Sequence, residues 1–204
     1  MDLHPFETLA AVELSHVPAG FVALDGLSKE ADVDVLFAGD VDPGRFLIVF
    51  RGDLGAVEVA LRRSIEVAGA DLAESLLLPN AHHGLRAALR GVTAQGDAAR
   101  TAQYSIGVLQ AHTVIAILAA TDRALKAADV ELLRLRFATE LGGSGHCVFV
   151  GEQDDVEAAL AAGTAGTPPG IVVIARRIAR PADAVYIAAV QRGAGSRALR
   201  PLDP

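Results

Sequence analysis

Six histidines, one cysteine and one glycine-rich loop are the residues of this chain whose types could do chemistry. The histidines are His4, His16, His82, His83, His112 and His146. Imidazole can act as a base, a proton shuttle or a metal ligand. A metal site needs converging ligands, and no His-x-x-x-His or Cys/His spacing is present. His82 and His83 are adjacent, so on a helix their side chains point about 100° apart and share a metal poorly. Cys147 lies in the apolar stretch "HCVFV", where a buried thiol behaves as a small inert hydrophobe. A lone cysteine excludes an internal disulfide and a cysteine-built metal site within one chain. "ELGGSGH" has the look of a phosphate cradle, but such loops lead into a helix N-terminus, whose N–H groups hold the anion. This one leads into "HCVFV" and reads as a wide hairpin loop. The acidic run "EQDD" at Glu152 to Asp155 reads as a helix start, where carboxylates are favoured. No Ser-His-Asp set or spaced carboxylate pair stands out. The sequence therefore assigns no catalytic residue, no metal and no cofactor, and the chain is not expected to be an enzyme.

The elements that would hold these residues come in two matching sets. "SKEADVDVL" (Ser28–Leu36) and "LKAADVELL" (Leu125–Leu133) are near copies 97 residues apart. At that offset Asp25 meets Asp122, Lys29 meets Lys126 and Val33 meets Val130. Further along the offset is 99, and Phe50 meets Phe149, Gly52 meets Gly151 and Leu61 meets Leu160. So long a period reads as two fused copies of one small domain rather than a solenoid. The first copy is assigned to residues 1–90, a polar linker to 91–103 and the second copy to 104–204.

In the first copy Leu9–Leu14 reads as a strand, Pro18–Ala31 as a helix with proline near its start, and Val33–Ala38 as a short strand. "DPGR" (Asp42–Arg45) is turn chemistry. Phe46–Arg51 is a continuous apolar run, hence a buried strand. A helix over Asp53–Ala68, with Asp53 as N-cap, a strand at "SLLLP" and a short helix at His82–Leu89 complete it. The second copy repeats the order: strands near Tyr104–Leu109, Val130–Arg136, His146–Val150 and Ile171–Ile178, with helices at Thr113–Ala127, Asp154–Ala162 and Ala182–Val190. The β-α-β-β-α-β order predicts an α+β chain of two tandem ferredoxin-like units, each a sheet with helices on one face. That fold alone names no function.

Bulk properties narrow the classes. Net charge is −7 with no basic run, which argues against a nucleic-acid partner. Hydrophobic residues make up 51% of the chain and mean hydropathy is +0.36, so extensive burial between subunits is expected. No membrane span is expected: Ile106–Ala120 falls short of the roughly 20 residues needed and is interrupted by Gln110 and His112. "MDLHPFETL" carries no basic n-region, and a cytoplasmic location is expected. Of 18 basic side chains only two are lysine, and both fall at the same place in the two copies.

These residues resemble the bacterial microcompartment shell proteins. The opening strand of that family corresponds to Ile106, Gly107, Val108, Leu109 and Gln110, and its Lys-Ala-Ala-Asn-Val-Glu-Leu segment to Lys126–Leu132. Its glycine-rich loop corresponds to Gly142–Gly145, its buried strand to "HCVFV", and its Gly-Asp helix start to Gly151–Glu152 here and Gly52–Asp53 in the first copy. "IARPA" (Ile178–Ala182) approximates its closing Pro-Arg-Pro motif, for which the first copy has "LPNAH". The order is the unpermuted one. The likeness is greatest to tandem-domain shell proteins that form trimers, of the kind found in propanediol-utilisation compartments.

The resemblance implies a flat pseudohexagonal trimer that tiles with hexameric and other shell proteins of the same compartment, with a central pore for small polar metabolites. It places Asp42, Pro43, Gly44, Arg45, Gly142, Gly143, Ser144 and Gly145 at the pore. Lys29, Lys126, Arg180 and Asn80 fall at the tile edges, with both lysines exposed and close to neutral for the fold. "DPGRF" stands where such proteins carry Cys-Pro-Gly-Lys-Phe, whose cysteine is associated with an iron–sulfur cluster. Asp42 takes that place here, so no cluster is expected, and Arg45 nearby should keep Asp42 ionised. The rival reading is a trimeric small-molecule-binding regulator on the same fold, which would have no use for edge lysines.

Overall fold

The computed structural model describes residues 7–94, 104–137, 141–167, 171 and 173–190; His4 and most of the expected linker lie outside them. The described residues fall into two compact units, 7–81 and 82–190.

The first unit runs β1 (Thr8–Leu14), α1 (Val17–Glu30), β2 (Asp34–Val41), β3 (Arg45–Gly52), α2 (Leu54–Ala68), a turn of 3₁₀ helix (Gly69–Asp71) and β4 (Leu72–Leu78). Its sheet has the order β2-β3-β1-β4, all neighbours antiparallel. Alternation decides the faces. Ala10, Val12, Leu14, Phe46, Ile48 and Phe50 face Ala23 and Leu27 of α1 and Val57 and Ala60 of α2, and all are buried. Leu9, Ala11, Glu13, Leu47 and Val49 point to the opposite face and are also inaccessible. β1 and β3 are therefore covered on both sides, and for β3 this is why Phe46–Phe50 reads as an unbroken apolar run. Asp53 takes the N-cap position of α2, but its side chain makes no capping hydrogen bond.

The second unit begins with α3 (His83–Leu89) and continues β5 (Ser105–Ala111), α4 (Val114–Ala127), β6 (Glu131–Phe137), β7 (Gly145–Gly151), α5 (Gln153–Thr164), β8 (Val173–Ala179) and α6 (Asp183–Val190). Its sheet, β6-β7-β5-β8, repeats the first. The cross-strand partners coincide: Thr8 faces Gly52 as Ser105 faces Gly151, and Leu9 faces Leu78 as Ile106 faces Ile178. The offset thus grows from 97 at the first strand to 99 at the third and 100 at the fourth, one residue more than the sequence match shows. The first two extra residues fall in the β6–β7 hairpin.

Core size is conserved by exchange. In the first unit Gly20 of α1 leaves room for Phe46 of β3, and a Cβ on Gly20 would collide with that ring. At the same two places the second unit has Ile117 on α4 and Gly145 on β7, and a Cβ on Gly145 would collide with Ile117. One large and one absent side chain fill each contact, with the roles swapped between helix and strand. Close-packed interiors tolerate such volume-conserving exchanges and little else.

α3 follows β4 in the chain, and sequence alone assigns it to the first copy. It packs against α4 and β6, at the edge of the second sheet. Its Leu85 and Leu89 are buried. The chain after it stays on that edge, where the Ala94 N–H donates to the Leu132 carbonyl at 3.0 Å. No described helix is long and apolar enough to cross a membrane.

Candidate functional site

The first expected pore loop is a tight hairpin. Asp42–Gly44 form the turn, the Asp42–Pro43 bond is cis, Gly44 has φ +83°, and its N–H donates to the Val41 carbonyl at 3.0 Å. A positive φ of this size is natural only for glycine. Pro43 and Gly44 are exposed, while Asp42 and Arg45 are half-buried. The Arg45 guanidinium reaches back along the sheet, and its Nη1 donates to Glu13 Oε1 at 3.0 Å. Arg45 therefore does more than border the loop: it is the counter-ion of a wholly inaccessible carboxylate. Glu74 stands directly opposite Glu13 on β4, and among the described residues one oxygen of each has no partner. Burial pushes the Glu13 pKa up; Arg45 pulls it down and Glu74 adds a smaller upward push.

The second expected pore loop is a turn at Leu141–Gly143, with Gly142 at φ +57° and Gly143 at φ +82°, and the Ser144 N–H donates to the Leu141 carbonyl at 3.0 Å. It leads into β7, as a hairpin loop should. Gly142 is exposed, Gly143 buried, and Gly145 is a core position against Ile117. The two expected loops thus occupy equivalent places, the β2–β3 and β6–β7 hairpins of their units.

The expected edge residues also pair up. Lys29 closes α1 and Lys126 closes α4, each one turn after an aspartate. Lys29 Nζ lies 2.7 Å from Asp25 Oδ2, and Lys126 Nζ lies 2.6 Å from Asp122 Oδ2. The i,i+4 spacing of Asp25 with Lys29 and of Asp122 with Lys126 is the sequence signal for both pairs. Both lysines are exposed, but their partners differ: the Asp25 side chain is 63% accessible, that of Asp122 only 4%. Asp122 Oδ1 also accepts the His82 backbone N–H at 2.7 Å. Asn80 and Arg180 follow β4 and β8 and share a left-handed backbone, φ +51° and φ +46°, so they are equivalent in conformation as well as in order.

His82 is the N-cap of α3, not part of the helix. Its Nδ1 accepts the Gly84 N–H at 3.2 Å, and its ring lies beside that of His83, centroids 4.2 Å apart. The expected divergence of the two rings fails because only one of them is helical. Burial, with the charge of His83, holds the His82 pKa below its ordinary value. No group of three or more potential ligands that could hold a metal occurs among the described residues. A cleft of about 350 Å³ opens beside the pair, lined by His82, His83, Leu125, Asp129, Glu131 and the 92–94 segment. Cys147 is buried and its thiol is pushed up to about 11 by burial, so it is held as the unreactive thiol.

The model of the BMC domain matches this chain twice, over residues 8–81 and 105–181. The chain belongs to the BMC domain family. It is 31% identical over 181 residues to the bacterial microcompartment shell protein PduT of Citrobacter freundii, covering 88% of this chain and 96% of that one. Its structure is similar to that of a microcompartment protein from Desulfitobacterium hafniense DCB, with a TM-score of 0.77 and 26% identity over 88% of this chain and 98% of the other. It also shares the fold of a fused permuted hexameric shell protein of the RMM microcompartment, with a TM-score of 0.54 and 21% identity over 76% and 81% of the two chains. The two BMC units meet the expectation of tandem shell-protein domains. The regulatory alternative finds no support in these relatives.

Sequence reading missed one constellation. Arg134 and Arg136 of β6, His146 of β7, Gln110 of β5 and Arg176 of β8 lie on the face of the second sheet away from α4 and α5. No basic run announces them, because they come from four strands. The signal available was the Arg-x-Arg spacing within a strand, which puts two arginines on one face.

Proposed function

We propose that this chain is a structural, non-enzymatic subunit of a bacterial microcompartment shell, forming a flat pseudohexagonal trimer that tiles with hexameric shell proteins around a pore for small polar metabolites. One observation carries the trimer. α1 and α4 are equivalent helices, yet Phe21 and Val22 of α1 are 62% and 58% exposed, whereas Leu118, in the place of Phe21 on α4, is fully buried. α4 has α3 packed against it, and the same face of α1 carries bare apolar surface. A second copy supplies the missing cover, and two BMC units per chain need three chains to complete six.

In this reading the Asp42–Arg45 and Gly142–Gly145 hairpins line the pore, alternating around the axis. Lys29, Lys126, Arg180 and Asn80 lie along the tile edges, where contacts weak one by one hold by multivalency. Sedimentation of the purified protein is expected to give a trimer, and electron microscopy at higher concentration sheets or shells. Phe21→Asp is expected to give a folded monomer. A monomeric parent protein, or a Phe21→Asp variant that remains trimeric, rejects this reading.

A further inference from the structure

We propose that the open face of the second sheet, at Arg134, Arg136, His146, Gln110 and Arg176, binds small anions bearing a carboxylate or phosphate group. The proposal goes beyond the shell role and does not depend on whether the hairpins line a pore.

The register puts these side chains in two adjacent rows. One row crosses the sheet as Arg136, His146, Gln110 and Ile174; the next is Arg134, Val148, Val108 and Arg176. Directly opposite residues on one face stand about 5 Å apart at Cβ, and residues two apart on a strand about 7 Å. Arg134, Arg136 and His146 can therefore reach a single compact anion. Neither row contains an acidic residue. Among the described residues Arg134 forms no ion pair, and Arg176 donates only to the carbonyl of its own neighbour Ala175, at 2.7 Å. Guanidinium is the group best shaped to hold carboxylate or phosphate through two parallel hydrogen bonds.

The first unit serves as an internal control. At the matching positions it carries Gly39, Leu47, Glu13 and Glu74 in one row and Phe37, Val49, Ala11 and Leu76 in the other. The same face of the same fold is acidic in one copy and basic in the other. Gln110 stands in the place of Glu13 and removes the charge that would repel an anion. Structure alone does not require arginine at Arg134 and Arg136, since Phe37 and Gly39 fill those places in the first unit. The far half of the basic face is covered by Tyr186 and Ala189 of α6, packed on Ile106, Leu133, Val148 and Val150. Gln110, Ile174 and Arg176 are exposed, so the near half is open to a ligand. The electrostatics agree with this clustering: burial first, then the charges of Arg134 and Arg136, hold the His146 pKa below its ordinary value. His146 thus feels both guanidinium groups, and an anion bound among the three would relieve that repulsion.

The test is titration of the full-length protein with sodium phosphate, and separately with sodium acetate, at ionic strength held constant with chloride. Binding is followed by NMR at the arginine Nε–H and histidine ring signals. Saturable shifts confined to Arg134, Arg136, Arg176 and His146 are expected with at least one anion, and which anion binds tells phosphate-bearing from carboxylate ligands. Arg134→Gln with Arg136→Gln should weaken binding at least about tenfold, since charge-assisted hydrogen bonds are lost. Arg176→Gln, at an exposed site, should weaken it less, and Arg62→Gln in the first unit should leave it unchanged. Shifts that do not saturate, or that survive in the double variant, overturn the proposal. So does a double variant that alters oligomeric state while anion binding persists, which would make this face a contact between copies.

Discussion

Lys126 is bonded to the buried side of its helix: its Nζ lies 2.6 Å from Asp122 Oδ2, and Asp122 turns its other oxygen to the N–H that starts α3. Lys29 makes the same i,i+4 bond to Asp25 at 2.7 Å, but out in solvent. The two lysines are equivalent in sequence and unequal in energy. An exposed pair contributes about 0–1 kcal/mol, whereas a buried carboxylate deprived of its charged partner costs about 1–3 kcal/mol.

Lys29→Gln is therefore expected to change unfolding free energy by less than about 0.5 kcal/mol, and Lys126→Gln to lower it by about 1–3 kcal/mol. Urea denaturation of the two variants checks this. Equal costs would show that Asp122 does not need Lys126. For Lys126 this outcome differs from the expectation that both lysines are near neutral for the fold, because its partner Asp122 is buried and that of Lys29 is not. The asymmetry also matters for any assembly assay: a loss of sheets on changing Lys29 reports on the edge, but the same loss on changing Lys126 mixes edge and fold.

Arg180 holds φ +46° where its counterpart Asn80 holds φ +51°. Asparagine adopts this region readily; a long side chain does so at a cost of about 1 kcal/mol. The first copy has the residue that suits the backbone, and the second keeps one that does not. Arg180→Asn should raise unfolding free energy by up to about 1 kcal/mol. The same variant should tile less well, if the guanidinium serves the edge. A variant neither more stable nor poorer in assembly would leave Arg180 with no role at the tile edge.

Glu13 and Gln110 occupy the same place in the two units, and the difference sets up a pH test. Burial raises the folded pKa of Glu13 above the ordinary 4.5. Its contribution to stability is therefore full below pH 4.5 and is lost as pH rises through the folded value. At pH 7 the buried carboxylate is a cost only partly offset by Arg45. Glu13→Gln should stabilise the first unit by about 1 kcal/mol at pH 7 and by little at pH 4, because an amide oxygen can still accept from Arg45. Loss of stability at pH 7 would mean that the Arg45–Glu13 ion pair outweighs the desolvation.

The fold was legible because its signals are local and doubled. Unbroken apolar runs at Phe46–Arg51 and "HCVFV", turn residues at Asp42–Gly44, and the 97-residue echo each point to one element, and among the described residues each strand and α-helix stands within a few residues of its expected place. What escaped depends on partners distant in sequence. Nothing local to Arg45 says that it neutralises Glu13, 32 residues away. Nothing in "NAHHG" says that α3 docks on α4, because the reason is the apolar surface it meets there. The exchange of Gly20 and Phe46 for Ile117 and Gly145 is visible in the sequence only after the helix–strand contact is known. The basic face is hidden likewise: strand pairing, not spacing, assembles it.

The start of α3 depends on the protonation of His82. His82 Nδ1 accepts the Gly84 N–H at 3.2 Å, and only a ring unprotonated at that nitrogen can do so. Acidification removes the acceptor and puts a positive charge at a helix N-terminus, which the dipole disfavours. Burial, the charge of His83 and, more weakly, Lys126 and Arg86 push the folded pKa below 6.5, while Asp122 pulls it up. With the folded pKa below the unfolded one, the unfolded chain binds the proton more tightly. The stability owed to neutral His82 is therefore present above about pH 6.5 and is lost as pH falls through the folded value. His146, also lowered, adds to the same slope. His82→Asn keeps a good N-cap that does not titrate. It should match the parent at pH 7.5, within about 0.5 kcal/mol, and exceed it at pH 5.5. Urea denaturation at the two pH values, read by circular dichroism, measures both. A parent protein whose stability does not fall between them, or an Asn variant that falls as steeply, would show that the His82 cap contributes nothing.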